Sequence, residues 1–193
     1  MMLPAVETIL SVLVGLSLAA AAGFRVFVPL LAVGFAHRFG VLPLSEGFQW
    51  MSADAALWTF GAATVLEVLA YFVPWIDNLL DTVATPAAIV AGVMLTAAVI
   101  VDLDPTLRWS LAIIAGGGTA TVFQGLTAGT RGISSLTTGG LGNPGVSTLE
   151  AGGSVLLSVL AVLVPIAAVV CLVILLAIAL RLALGRRRHQ AAA

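Results

Sequence analysis

The sequence predicts an all-α polytopic membrane protein, and three observations carry that expectation. Hydrophobic residues make up 61% of the 193 positions and charged residues only 9%, whereas a soluble domain carries roughly a quarter charged residues to cover its surface. Four uncharged stretches, 8–24, 82–101, 109–130 and 151–180, approach or exceed the about 20 apolar residues with which a helix crosses a bilayer. All eight basic residues are arginine, and Arg181, Arg186, Arg187 and Arg188 crowd the C-terminal end, which makes the tail 185–193 cytoplasmic by the positive-inside rule. A net charge of −1 offers no long-range attraction to a polyanion, so nucleic acid is not an expected partner; the lipid bilayer is.

Taken in order, 6–22 is the first membrane helix. Ala19–Ala22 imitates a signal-peptidase site, but no basic residue precedes the apolar run as a secretory leader requires. The stretch 25–37 is a weaker helix. A third apolar run, 54–73, starts at Asp54, and a fourth, 86–101, opens on Pro86. "VDLDP" at 101–105 reads as a loop that starts the next helix, 107–127. The following "RGISSLTTGGL" (131–141) is too polar and glycine-rich to face lipid, and such backbone sits at membrane depth only inside protein or beside water. The last run, 150–184, would be about 52 Å long as a straight helix, and Pro165 within it predicts a kink or break. Six or eight crossings fit these segments, which would start the chain on the side of its tail. Cys171 is the single cysteine, so it forms no internal disulfide.

Three anchors recur in the same order. "AGFR" at 22–25 and "AGTR" at 128–131 each follow an apolar run; "TVLE" at 64–67 and "STLE" at 147–150 each end in glutamate; and Pro86 and Pro165 each precede an apolar helix. This pattern predicts two repeats, 5–105 and 106–184, parallel or inverted, with interrupted or re-entrant segments after Arg25 and Arg131. Transporter folds use such repeats to place a site near the bilayer midplane.

The candidate site residues follow from the cost of charge at membrane depth. Arg25 and Arg131 must be paired, face water or snorkel to an interface; a helix starting behind either one would aim amide groups at an anion or a carboxylate. Their expected partners are the matching glutamates, Glu67 and Glu150. Glu67 lies deep in an apolar run and suits a proton relay, whereas Glu150 begins its segment, where the helix dipole alone accounts for it. Glu67 is the stronger candidate on that ground. Gln124, inside an apolar helix, is expected to face protein or cavity, and Asn143 lies in "TTGGLGNPG", a loop with exposed backbone of the kind that lines a pore. In "PWIDNLLDT" (74–82), Asp77 and Asp81 share a helix face with Asn78 adjacent. They offer part of an oxygen shell for a divalent cation or, alternatively, form an interfacial turn with both aspartates in water. No Ser-His-Asp set, cysteine cluster or histidine pair is present, and the lack of lysine excludes a phosphate-binding P-loop.

The strings "PWIDNLLDTVATPAAIVAG" and "AGTRGISSLTTGGLGNPGVSTLE" resemble the domain-of-unknown-function family 4126 of bacterial membrane proteins. The resemblance runs from about residue 10 to 180. It implies a multi-spanning domain of the bacterial inner membrane and no particular activity, and it adds weight to Asp77, Asn78, Asp81, Arg131, Asn143 and Glu150. The expected function is transport or conduction of a small solute or ion through a polar midplane site, in a monomer or a homo-oligomer. The alternatives are a Mg²⁺-dependent enzyme acting on lipid or prenyl diphosphate through the DNLLD segment, and a non-catalytic membrane assembly protein.

Overall fold

The computed structural model describes the backbone of residues 4–70 and 74–190, and the side chains of 5–70, 82–178 and 181. The described chain is helical: α1 (Pro4–Phe24), α2 (Phe27–Arg38), α3 (Asp54–Ala70), α4 (Pro74–Val99), α5 (Pro105–Leu111), α6 (Gly118–Thr138), α7 (Asn143–Leu163) and α8 (Pro165–Gln190). A π-helical turn, Ala112–Gly117, joins α5 to α6. Among the described residues, four helical stretches are long and apolar enough to cross a membrane: Ala5–Phe24, Thr82–Val99, Pro105–Thr138 and Asn143–Leu163.

α1 is the central helix, packed against α4, α6, α7 and α8. Its small residues make this possible, since Ala19, Ala20, Ala21 and Ala22 are fully buried. Glycines set the close approaches. A Cβ on Gly15 would stand 3.0 Å from Thr96 Cα, and one on Gly92 would stand 2.6 Å from Ala120 Cβ. Where the hydrophobic effect no longer separates helix from lipid, such small-residue contacts let packing hold helices together. Thr96 Oγ1 adds a hydrogen bond to the Gly15 carbonyl at 3.2 Å. The buried C-terminal end of α4 is satisfied by the loop after α2: Ser45 donates its N–H to the Ala98 carbonyl (2.7 Å) and its hydroxyl to the Ala97 carbonyl (2.9 Å).

These contacts fix helix directions. The pairs Gly15–Thr96 and Ala19–Gly92 make α4 antiparallel to α1, whereas the approach of Gly23 to Ala120 and Phe123 makes α6 parallel to it. α2 turns back on α1, because Leu42 and Pro43 beyond it share a cavity with Glu7, Leu10 and Val14. α3 then runs antiparallel to α2, joined by an Arg38–Asp54 ion pair at one end and by Glu67 at the other. α7 runs against α1, and α8 returns until Cys171 and Leu175 reach the level of Phe24 and Glu150. The start of α1 and the end of α8 therefore lie at opposite ends of the bundle. The expectation that both lie on one side is overturned, because α2 and α3 form a hairpin and every later helix reverses in turn.

Four further expectations are corrected. The chain breaks behind Arg25, between α1 and α2, but α6 runs unbroken through Arg131. Gly129 and Gly132 cost only about 1 kcal/mol each against alanine in a helix, and Thr130, Thr137 and Thr138 return their hydroxyls to carbonyls of the same helix. Glu150 does not begin its helix: α7 starts at Asn143, with Pro144 in its first turn, where proline's missing N–H and fixed φ are favourable. Pro86 lies inside α4, whereas Pro165 starts α8 after Val164 leaves helical geometry (φ −140°, ψ 72°). Lastly, α3 and α7, which carry the two glutamates, run in opposite directions while α1 and α6 run in parallel. The matched order of anchors along the sequence does not correspond to matched places in the fold.

Candidate functional site

Both arginines point into the bundle: Arg25 is 1% exposed and Arg131 4%. They reach the same carboxylate. Arg131 grips Glu150 with two nitrogens, Nε to Oε1 at 3.2 Å and Nη2 to Oε2. Arg25 Nη2 stands 3.3 Å from that same Oε2 and also donates to the Ser147 carbonyl (3.0 Å) and hydroxyl. One glutamate thus bridges two guanidiniums. Two-nitrogen contact is the geometry for which arginine's planar fork is suited, and it fixes orientation as well as charge.

Each side chain arrives there for a local reason. Arg25 sits in the break between α1 and α2, still tied to α1 by its N–H to the Ala21 carbonyl at 3.0 Å. Arg131 lies on the buried face of α6 with Gln124 and Thr127, at helical spacings of seven and four. On α7 the buried polar residues Asn143, Ser147, Glu150, Ser154 and Ser158 share one face toward α1, and Ser154 donates to the Ala21 carbonyl at 2.9 Å. That polar stripe escaped the sequence reading. Its signal was present as serines three and four positions either side of Glu150.

Glu67 does not take an arginine as its hydrogen-bonding partner. Its Oε1 accepts from the Val26 N–H (2.8 Å) and its Oε2 from the Phe27 N–H (3.2 Å), so α3 caps the open N-terminal end of α2. The first N–H groups of a helix have no partner within it, and the dipole there favours negative charge. The charges of Arg25 and Arg131 both still act on Glu67. Among the described residues, two arginines and two glutamates therefore form one buried cluster.

Two cavities open onto the cluster from the flanks of the bundle. One of about 350 Å³ reaches Glu150 between α6, α7 and α8, walled by Phe24, Leu126, Leu156 and Leu175. The other, about 330 Å³, reaches Glu67 past Phe27, Ala63, Val83 and Ala87. Among the described residues, a glutamate is the single charged group in each lining, which is otherwise nonpolar or weakly polar. Gln124 is buried on α6 one turn before Thr127. Asn143 ties the α6–α7 hairpin by donating to Ser135 Oγ at 3.0 Å.

The family model for the domain of unknown function DUF4126 matches residues 12–184, which includes every residue of the cluster. The chain belongs to the DUF4126 family. No curated protein and no solved structure matches it. Within this DUF4126 chain, the backbone of 74–81 continues α4 as helix, so Asp77 and Asp81 occupy one face of it. The side chains of Asp77, Asn78 and Asp81, the proposed divalent-cation ligands, lie outside the described residues. Among the described residues no three histidine, cysteine or acidic side chains gather as a metal site.

Proposed function

We propose that this DUF4126 protein is a small membrane transporter or channel for a solute or ion, with the Arg25–Glu150–Arg131 bridge and Glu67 as its binding centre. One observation carries the reading: four ionisable side chains are buried together in an apolar bundle, and two of them line cavities. A central charged side chain costs about 2.5–3.5 kcal/mol on the insertion scale, and a packed apolar core of the same shape is often as stable as a buried ion pair or more so. A helix cap or an ion bridge alone does not require the carboxylate to be reachable from a cavity, and both glutamates are.

The proposed setting is the bacterial inner membrane, with the arginine cluster near the cytoplasmic side. Arg181 and the basic tail extend from α8 at the cluster's end of the bundle, whereas Arg38 and Arg108 are the arginines at the other. That distribution follows the positive-inside rule. α2, at 12 residues, is about 18 Å long and shorter than a full crossing, and its N-terminal end faces the site. The test is flux of protons and small ions into liposomes containing the purified protein. Flux above protein-free liposomes, lost in Arg131→Ala and still absent when Arg131→Ala is combined with Glu150→Gln, supports the reading. Full flux in a double variant of restored stability refutes a transport role for these arginines.

A further inference from the structure

We propose that Glu67 is a proton-binding site, and that its protonation releases the N-terminal end of α2 and thereby loosens Arg25 from Glu150. The inference rests on the transport reading and supplies its coupling ion.

The geometry sets Glu67 apart from Glu150. Glu150 is held by two guanidiniums, so a proton there would have to displace two positive partners. Among the described residues, Glu67 holds two backbone N–H groups, at 2.8 and 3.2 Å, and it sits at the end of the 330 Å³ cavity between α2, α3 and α4. The charged groups around it are Arg25 at the α1–α2 break, Arg131 from α6 and, beyond them, Glu150 on α7. The far end of α2 carries His37 and Arg38, whose contacts are with the Leu42 carbonyl and Asp54. The described part of α4 brings no titratable side chain to the cavity; Asp77 and Asp81, in its first turns, lie outside the described side chains.

A proton added to one oxygen of Glu67 turns that acceptor into a hydroxyl donor, so one of the two N–H···O bonds to α2 is lost and the other weakens. An N-terminal cap is worth about 0.5–2 kcal/mol, and charge-assisted bonds are roughly twice as strong as neutral ones. Val26 and Phe27, the residues released, directly follow Arg25. Movement of α2 therefore pulls on the Arg25 contacts to Ser147 and Glu150. At the same time the cluster gains one positive charge, which weakens its internal balance from the other side.

The test needs no flux. Carbodiimides add only to the protonated carboxyl, forming an O-acylisourea that rearranges to a stable N-acylurea, and the apolar dicyclohexylcarbodiimide enters from lipid. Incubation of the intact wild-type protein in detergent across a pH series, followed by peptide mass spectrometry, should find Glu67 modified increasingly as pH falls and Glu150 unmodified. Hydrogen exchange of the Val26 and Phe27 amides should rise over the same range in the wild type. It should be fast and pH-insensitive, after correction for intrinsic exchange, in Glu67→Gln. Modification of Glu150 in preference to Glu67, no modification of Glu67 at any pH, or an exchange rate of Val26 and Phe27 that ignores pH in the wild type would each overturn the proposal. Absence of flux with labelling intact would refute transport and leave the proton site standing.

Discussion

Arg25 and Ser147, 122 positions apart in the chain, are joined by a hydrogen bond of 3.0 Å from the guanidinium to the backbone carbonyl. This bond carries the α1–α2 break to α7, one turn before the glutamate that Arg25 and Arg131 share. The site is thus closed by residues from both ends of the sequence, and the loss of any one charge leaves the others miscounted.

Stability should follow that count. Glu150→Gln removes the carboxylate that both guanidiniums contact, whereas Arg131→Ala leaves Glu150 still paired with Arg25. Breaking a buried pair costs about 3–5 kcal/mol. We expect Glu150→Gln to lower the melting temperature in detergent more than Arg131→Ala, and the combination to recover much of the loss because the Arg131 guanidinium is no longer stranded beside a neutral amide. A double variant no more stable than Glu150→Gln alone would dissolve the idea of a shared charge count.

Much of this was legible in the sequence, for physical reasons that also mark the limit. The helices are written in hydropathy, and the burial of Arg25 and Arg131 follows from the cost of pointing a guanidinium at acyl chains. Arg131 pairs with its matching glutamate, Glu150, but the ion-pair partner of Arg25 was not legible. Spacing along the chain relates Arg25 to Glu67, but the helix directions bring Glu150 to it instead, and directions are set by glycine contacts such as Gly92 on Ala120 that no local pattern encodes. Two local signals were present and misread. "GNPG" favours a loop by composition, yet Pro144 is suited to the first turn of a helix, and the glycine-rich stretch after Arg131 favours an interruption, yet its threonines are compatible with a continuous α6.

Topology offers a second test. In a Cys171→Ala background, Leu141→Cys in the α6–α7 turn and Glu46→Cys in the loop after α2 report opposite ends of the bundle. We expect a membrane-impermeant maleimide to label position 46 in spheroplasts and position 141 only after the membrane is opened. Labelling of both from one side would contradict the helix directions; the reverse pattern would turn the bundle over.

Glycine contacts give a third. A Cβ at Gly92 would come within 2.6 Å of Ala120 Cβ and 3.0 Å of the Gly116 carbonyl, whereas one at Gly118 would meet nothing within 4 Å. Overpacking of this kind costs about 1–3 kcal/mol, while alanine in an open helical position gains up to about 1 kcal/mol over glycine. Gly92→Ala should therefore unfold at lower temperature than the wild type, and Gly118→Ala at the same or a higher one. Equal melting temperatures for the two would show that α4 and α6 do not meet here.

The start of α4 supplies the fourth. If Asp77 and Asp81 stand in water at the membrane surface, Asp77→Asn changes stability by no more than about 0.5 kcal/mol, and Mg²⁺ leaves the wild-type melting temperature unmoved. That is the outcome we expect. A rise with Mg²⁺ that Asp77→Asn removes would instead place a cation on this helix face and reopen the enzymatic alternative.

The opposite placement of the start of α1 and the end of α8 constrains how such a gene can grow. Were the coding region copied in tandem with a short join, the second copy would enter the bilayer from the face where the first one left it, and so stand upside down beside its parent. A fused pair would be an antiparallel dimer by construction, with one arginine cluster near each surface. Its two positive-inside signals would oppose one another, and only the loss of arginines from one tail could relieve that conflict.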